Sequence, residues 1–132
     1  MKKCRFSIVF IAVLFLFCDC QTYYEYAFEQ SLDQVDQVYI VSEEDGVEVQ
    51  RECDIEILEE IRALPCQKYW NDPPHKILPP YIFIEYNNGA IEKISASSNY
   101  YEIEETWDYD WEYFDSDAFL EILQKYQVRS GE

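Results

Sequence analysis

The chain lacks the residues from which the common catalytic and metal sites are built. It has one histidine, His75, among 132 residues, and only three glycines. It contains no nucleophile-elbow, zinc-protease, phosphate-binding or dinucleotide-binding pattern. Acidic residues are so numerous that some pair will reach a catalytic spacing by chance. No pair of carboxylates can therefore be identified as catalytic from the sequence. We therefore expect a protein that is not an enzyme and that binds no cofactor.

Basic residues are scarce as well. The chain has 10 Lys and Arg residues against 27 Asp and Glu residues, a formal net charge of −17. Nucleic acids and anionic membrane surfaces are bound by clustered Lys and Arg, so we expect no nucleic acid partner. Such acidity suits a solvated, self-repelling surface or a basic protein partner. Aromatic residues make up 17% of the chain, which argues against disorder.

The one long hydrophobic run lies at the N-terminus. Lys2, Lys3 and Arg5 precede an apolar run over residues 6–17. The run is shorter than the roughly 20 residues that a membrane-spanning helix needs, and its length is typical of a secretory signal. The sequence therefore predicts a signal peptide over residues 1–20. The protein is expected to be extracytoplasmic, whether secreted, periplasmic or surface-anchored.

The cleavage site leaves more than one possibility. Cys18 and Cys20 are small enough for the −3 and −1 positions, which would start the mature chain at Gln21. Lipidation of Cys18 is the alternative, although the bulky Phe17 before it fits a lipoprotein signal poorly. The third possibility is that the N-terminal segment is retained as a short anchor. We expect membrane contact only if Cys18 is lipidated or the N-terminal segment is retained.

Two cysteines, Cys53 and Cys66, remain after such a cleavage. The segment between them predicts a helix from Asp54 to Ala63, with Asp54 as its N-cap. Such a helix is about 15 Å long, whereas the Cα atoms of a disulfide lie within about 7 Å. We therefore predict two unpaired, mostly buried thiols and no zinc site.

Turn signals and alternation predict the fold. Asp45-Gly46 and Asn88-Gly89 each predict a β-hairpin, and the second hairpin is expected to place Glu85 opposite Glu92. The segment from Asp115 predicts a closing helix capped by Asp115 or Ser116. Together they predict an α+β two-layer sandwich: an antiparallel sheet of about five strands, ordered ββα-loop-βββα, with two helices packed on one face.

The domain organisation follows from the same pattern. Residues 21–36 show no clean period and are expected to form a lead-in segment. Residues 37–128 are predicted to be a single α+β domain, and residues 129–132 a tail.

The stretch TWDYDWEYFD at residues 106–115 alternates aromatic and acidic side chains. An alternating strand places its aromatics on one face and its acids on the other. Because a buried unpaired carboxylate is costly, we predict that the aromatics pack against the helices. The alternative is an exposed platform for a sugar or a protein. The aromatics concerned are Trp107, Tyr109, Trp111 and Tyr113.

The acids of this stretch are the best candidates for calcium ligands. Asp108 and Asp110 are about 7 Å apart along a strand and diverge, whereas calcium needs six to eight converging oxygens. We therefore predict no metal site, and a weakly calcium-dependent surface protein stays an alternative.

A second candidate site is the proline-rich connection, since all five prolines lie between residues 65 and 80. A stiff loop loses little entropy on binding, so its exposed side chains would make an effective recognition element. Alternatively, Trp70 and Ile77 only close the end of the core. The candidate binding residues are Lys68, Tyr69, Trp70, His75 and Lys76.

These features favour an exported, acidic, non-enzymatic domain that binds or shields a protein, with a basic partner the best fit. A carbohydrate or cell-wall binding module that uses exposed aromatics is the main alternative.

Overall fold

The computed structural model describes residues 23–68, 76–110 and 112–130. Over these residues the protein is an α+β fold with a six-stranded antiparallel sheet and two α-helices. The predicted class is therefore confirmed. The main sheet has one strand more than predicted, and the two-stranded ribbon beside it was not predicted.

The elements follow one another along the chain, beginning with a short 3-10 helix at Leu32–Gln34. They are β1 (Val35–Glu44), β2 (Val47–Cys53), α1 (Glu56–Arg62), β3 (Cys66–Lys68), β4 (Tyr81–Tyr86), β5 (Ile91–Ile94), β6 (Asn99–Ile103), β7 (Thr106–Asp110), β8 (Glu112–Phe114) and α2 (Ser116–Ser130).

The main sheet has the strand order β2-β1-β4-β5-β6-β7, and β3 pairs with β8 in the ribbon. Every pairing is antiparallel. The predicted single strand over residues 106–115 is in fact two strands, because β7 belongs to the main sheet and β8 to the ribbon.

The first hairpin forms where the sequence predicts it. Asp45 and Gly46 both have positive φ, 53° and 80°, as the tight two-residue turn of type I′ requires. Glu44 and Val47 pair directly on either side of the turn. This prediction is confirmed.

The second hairpin also forms, but its register differs from the prediction by one residue. Its loop has three residues, 87–89, because the Tyr86 N–H donates to the Ala90 carbonyl at 2.9 Å. Gly89, with φ 87°, occupies the left-handed position of this loop. Glu92 therefore pairs with Ile84 rather than with Glu85. A shift of one residue turns a side chain to the other face of a sheet, and Glu92 is fully buried.

An aspartate shortly before each helix accepts a backbone N–H of the first turn. The Asp54 carboxylate accepts the Glu56 N–H at 3.0 Å, and the Asp115 carboxylate accepts the Ala118 N–H at 2.9 Å. Such caps satisfy donors that the first helical turn leaves unpaired. The predicted cap of α2 is found at Asp115 rather than at Ser116, whereas the N-cap position of α1 is occupied by Ile55 and not by the predicted Asp54.

One hydrophobic cluster joins the helices to alternate positions of the central strands and to Tyr26 of the N-terminal segment. Its helical members recur at the spacing of one helix face. The fully buried members from the helices and strands include Ile57, Leu58, Ile61, Phe119, Ile40, Ile82, Ile84 and Ile94.

Cys53 and Cys66 are both free, one half-buried and the other buried. Burial raises the pKa of each thiol to about 12. The prediction of two unpaired thiols is confirmed, and at neutral pH both are protonated.

Candidate functional site

Neither Trp107 nor Tyr109 belongs to the buried cluster that contains the helices. Trp107 is 61% exposed, and Tyr109 packs in a second cluster with Val41 and Tyr81 that contains no helical residue among those described. The prediction that these two rings pack against the helices is therefore wrong. Trp111 lies outside the described residues.

The register explains why the expectation failed. Asp108 pairs with Tyr101, and Tyr101 pairs with the buried Glu92. Cross-strand partners share a face, so Asp108 lies on the side of the buried cluster. However, β7 is the edge strand, and Asp108 remains exposed there. Its carboxylate reaches water without turning to the opposite face.

Tyr113 belongs to the ribbon rather than to the aromatic face. It is half-buried in β8, where it pairs with Gln67 of β3, and its hydroxyl donates to the Gln67 side-chain carbonyl. The prediction that it shares one strand face with Trp107 is therefore wrong.

A row of rings crosses the second face of the sheet. Adjacent strands contribute one residue each, and each residue lies directly opposite the next. Five strands at a spacing of about 4.8 Å make the row about 19 Å long. This aromatic row consists of Tyr39, Phe83, Lys93, Tyr100 and Tyr109.

The rings of the row contact one another at both ends. The Tyr39 and Phe83 centroids are 6.0 Å apart, and those of Tyr100 and Tyr109 are 4.8 Å apart. Trp107 continues the contact beyond Tyr109, at 5.7 Å between centroids. Aromatic pairs at such distances stabilise one another beyond the area that they bury.

Lys93 is the cation at the centre of the row. Its Nζ lies 5.8 Å from the Phe83 centroid, 5.3 Å from that of Tyr100 and 5.7 Å from that of Tyr81. These distances fall within the range of cation–π attraction. The row is therefore a surface on which an ammonium group is already held by aromatic rings.

Acidic side chains border the row. The next row of partners on the same face runs through Glu85, Ile91, Glu102 and Trp107. The Tyr100 hydroxyl donates to the Glu102 carboxylate at 2.9 Å. Burial and this bond raise the pKa of Tyr100 to about 12. The face thus combines ring surfaces with carboxylates.

A buried carboxyl group on the opposite face was missed from the sequence. Glu92 accepts the hydroxyls of Tyr26 and Tyr86, each at 2.5 Å, and the Glu29 N–H at 3.0 Å. Burial raises the pKa of Glu92, and these hydrogen bonds only partly offset the effect. No local signal in the sequence reveals it, because the length of the loop before β5 sets the inward register of Glu92.

Further acids lie beside Glu92. Glu29, Asp108 and Asp110 line a cleft of about 10 Å³ next to it, and burial together with the charges of Asp110 and Asp108 raises the pKa of Glu29. A cleft of this volume has room for about one water molecule. Two of the three donors to Glu92, the Tyr26 hydroxyl and the Glu29 N–H, secure residues 26–29 to the sheet, and the cleft itself is too small for a substrate.

The predicted loop site is only partly described. Lys68 ends β3, where its Nζ lies 3.5 Å from an Asp110 carboxylate oxygen, and Lys76 is exposed. Tyr69, Trp70 and His75 lie outside the described residues. Ile77 is buried against Val41 and Tyr81, as expected if the loop closes the end of a core. Binding at this loop stays a prediction.

Neither the described side chains nor the comparisons with known proteins assign a function to the chain. In the described ranges, no group of three or more His, Cys, Asp or Glu side chains is arranged to hold a metal ion. Neither described helix combines the length and apolar character needed to cross a membrane. No family model matches the chain, and the searches of curated proteins and of solved structures returned no significant match. The function must therefore be inferred from the geometry of the chain.

Proposed function

We propose that this chain is an exported, non-enzymatic domain that binds a basic segment of a partner protein on the aromatic row. In this proposal the two helices form a second layer on the opposite side of the sheet and leave the row free for the partner. The observation that carries the proposal is the row itself, with Trp107 61% exposed at its end.

The chemistry of the row supports a cationic ligand. Aromatic faces attract ammonium and guanidinium groups, and Lys93 already lies within 6 Å of three ring centroids. Glu85 and Glu102 border the rings, so a lysine or arginine of a partner would meet both a ring and a carboxylate. The carboxylates of Glu85 and Glu102 would repel an acidic segment.

The charge of the whole chain supports the same partner class. A formal net charge of −17 attracts a basic partner over a distance and raises the rate of encounter. Because this attraction is screened by salt, the proposed binding weakens as ionic strength rises. Export rests on the N-terminal pattern of residues 1–20.

A carbohydrate ligand fits this row less well. A sugar ring stacks on a flat, exposed ring face, and several such faces must be nearly coplanar to form a platform. The planes of Tyr100 and Tyr109 are inclined by 58°, and those of Trp107 and Tyr109 by 77°. Inclined rings can instead turn their faces toward a point cation, as three rings do toward the Lys93 ammonium.

Isothermal titration calorimetry with synthetic peptides tests the proposal. A peptide of alternating lysine and serine should bind at low salt, whereas its glutamate counterpart and a cello-oligosaccharide should not. Tyr109→Ser should weaken the binding of the lysine peptide by about fivefold, as expected for the loss of one cation–π contact at a half-buried ring.

Tyr23→Ser is the matched control, because Tyr23 is 58% exposed and lies outside the row. It should bind the lysine peptide as the wild type does. Equal binding of the lysine and glutamate peptides, or an unchanged affinity in Tyr109→Ser, would overturn the proposal.

A further inference from the structure

Trp107 and Glu102 form a pair at the outer end of the sheet. They lie directly opposite each other on β7 and β6, where the Cβ atoms of cross-strand partners are about 5 Å apart. Both lie on the face of the aromatic row, because Glu102 accepts the hydroxyl of Tyr100. An exposed indole and a carboxylate are thus side by side.

The pair has binding capacity that is not used within the described part of the chain. The Tyr100 hydroxyl occupies one oxygen of Glu102, Oε2, at 2.9 Å. Trp107 contacts Tyr109 with the two planes inclined by 77°, an edge contact that leaves an indole face open. No described cation lies over the Trp107 ring, in contrast to the rings around Lys93.

We infer that Trp107 and Glu102 form a subsite for an arginine side chain of the basic partner. The inference rests on the proposed function and specifies one residue of its ligand. A guanidinium is flat, so it stacks on an indole while its in-plane N–H groups donate to a carboxylate at the side. A lysine ammonium is compact and strongly hydrated, and it makes only one of these two contacts well.

The test compares three peptides that differ only in their cationic residue: arginine, lysine or neutral citrulline, each alternating with serine. The wild-type protein should bind the arginine peptide about fivefold to tenfold more tightly than the lysine peptide. The arginine peptide should also shift the Trp107 indole N–H resonance, which is assigned by its absence in Trp107→Phe. The citrulline peptide keeps the flat shape without the charge and should bind much more weakly.

Two variants at the subsite should remove the preference for arginine. Glu102→Gln removes the carboxylate charge, and Trp107→Leu removes the ring; each should bring the affinities for the arginine and lysine peptides to within about twofold. Glu105→Gln is the matched control, because Glu105 is an exposed acid of the neighbouring turn. Glu105→Gln removes one negative charge, as Glu102→Gln does, and it should keep the preference for the arginine peptide.

The outcomes separate this inference from the proposed function. If the wild type binds the arginine and lysine peptides equally, or if Glu102→Gln keeps the preference, the arginine subsite is overturned while binding of a basic segment stands. If neither peptide binds, both are overturned. Trp107 is mostly exposed, so Trp107→Leu should fold, and Glu102→Gln supplies the same test without a change of ring packing.

Discussion

Tyr26 and Glu92 are 66 residues apart in the chain, and the Tyr26 hydroxyl donates a hydrogen bond of 2.5 Å to the buried Glu92 carboxyl group. Together with the bond from the Glu29 N–H to the same carboxyl group, this contact fastens the segment before β1 to β5 of the sheet. Tyr26 is therefore part of the buried hydrophobic cluster.

Removal of the Tyr26 hydroxyl should destabilise the protein. Tyr26→Phe leaves a buried Glu92 oxygen without its donor, and an unsatisfied buried acceptor costs about 1–3 kcal/mol. Urea denaturation should show this loss in the free energy of unfolding. Tyr23→Phe, at a 58% exposed tyrosine, should change it by less than about 0.5 kcal/mol. Equal stability of the two variants would contradict the role of the contact.

The buried acids should make the protein more stable as the pH falls below neutral. Burial raises the pKa of Glu92, Glu29 and Glu112 above the ordinary value of 4.5. The folded state therefore binds more protons than the unfolded state between the ordinary and the raised pKa values. The stabilisation that these three carboxyl groups contribute is fully present at a pH below their ordinary pKa. It is lost as the pH rises through their raised pKa values.

Thermal unfolding between pH 7 and about pH 5 measures this slope. Relief of general charge repulsion contributes in the same direction, so the comparison with Glu92→Gln isolates the share of Glu92. The variant should show a shallower rise of the melting temperature on acidification. A slope equal to that of the wild type would show that Glu92 does not titrate differently in the two states.

The loss of an aromatic ring should cost more stability in the buried cluster that contains the helices than at the exposed end of β7. Phe119 is fully buried against Phe114, and Phe119→Ala should cost about 3–5 kcal/mol of stability. Trp107→Ala should cost less than about 1 kcal/mol, because the ring is mostly exposed. Chemical denaturation of both variants checks the prediction, and a large loss in Trp107→Ala would place that ring in the core instead.

The three-residue turn of the second hairpin should depend on Gly89 for its stability. Its φ of 87° is costly for any residue with a Cβ, so Gly89→Ala should destabilise the protein by about 1–2 kcal/mol. No heavy atom lies within 4 Å of a Cβ built there, so the loss would come from the backbone and not from a clash. Gly89→Asn tolerates the conformation better and should recover part of the stability; a Gly89→Ala protein as stable as the wild type would contradict the turn assignment.

Local signals in the sequence were sufficient for the helices and hairpins. Asp54 and Asp115 marked the helix starts, and Asp45-Gly46 marked a turn, because these effects act over a few residues. The sequence did not determine whether the loop before Ala90 has two residues or three. That single residue decides the face of Glu92.

The sidedness of the aromatic strand could not be read from alternation either. Alternation places Trp107 and Tyr109 on one face but does not say which, and the edge position of β7 lets Asp108 reach water from the inner side. The pairing of β3 with β8 was also out of reach, because it joins Cys66 to Phe114 through no local signal.

Chemical-shift mapping of the isotopically labelled protein tests the binding face most directly. On titration with the lysine–serine peptide, the largest shifts should fall on Lys93, Tyr100, Tyr109 and Trp107, and they should diminish as salt is added. Shifts concentrated on α2 or on residues 23–34, with the aromatic row unchanged, would contradict the account.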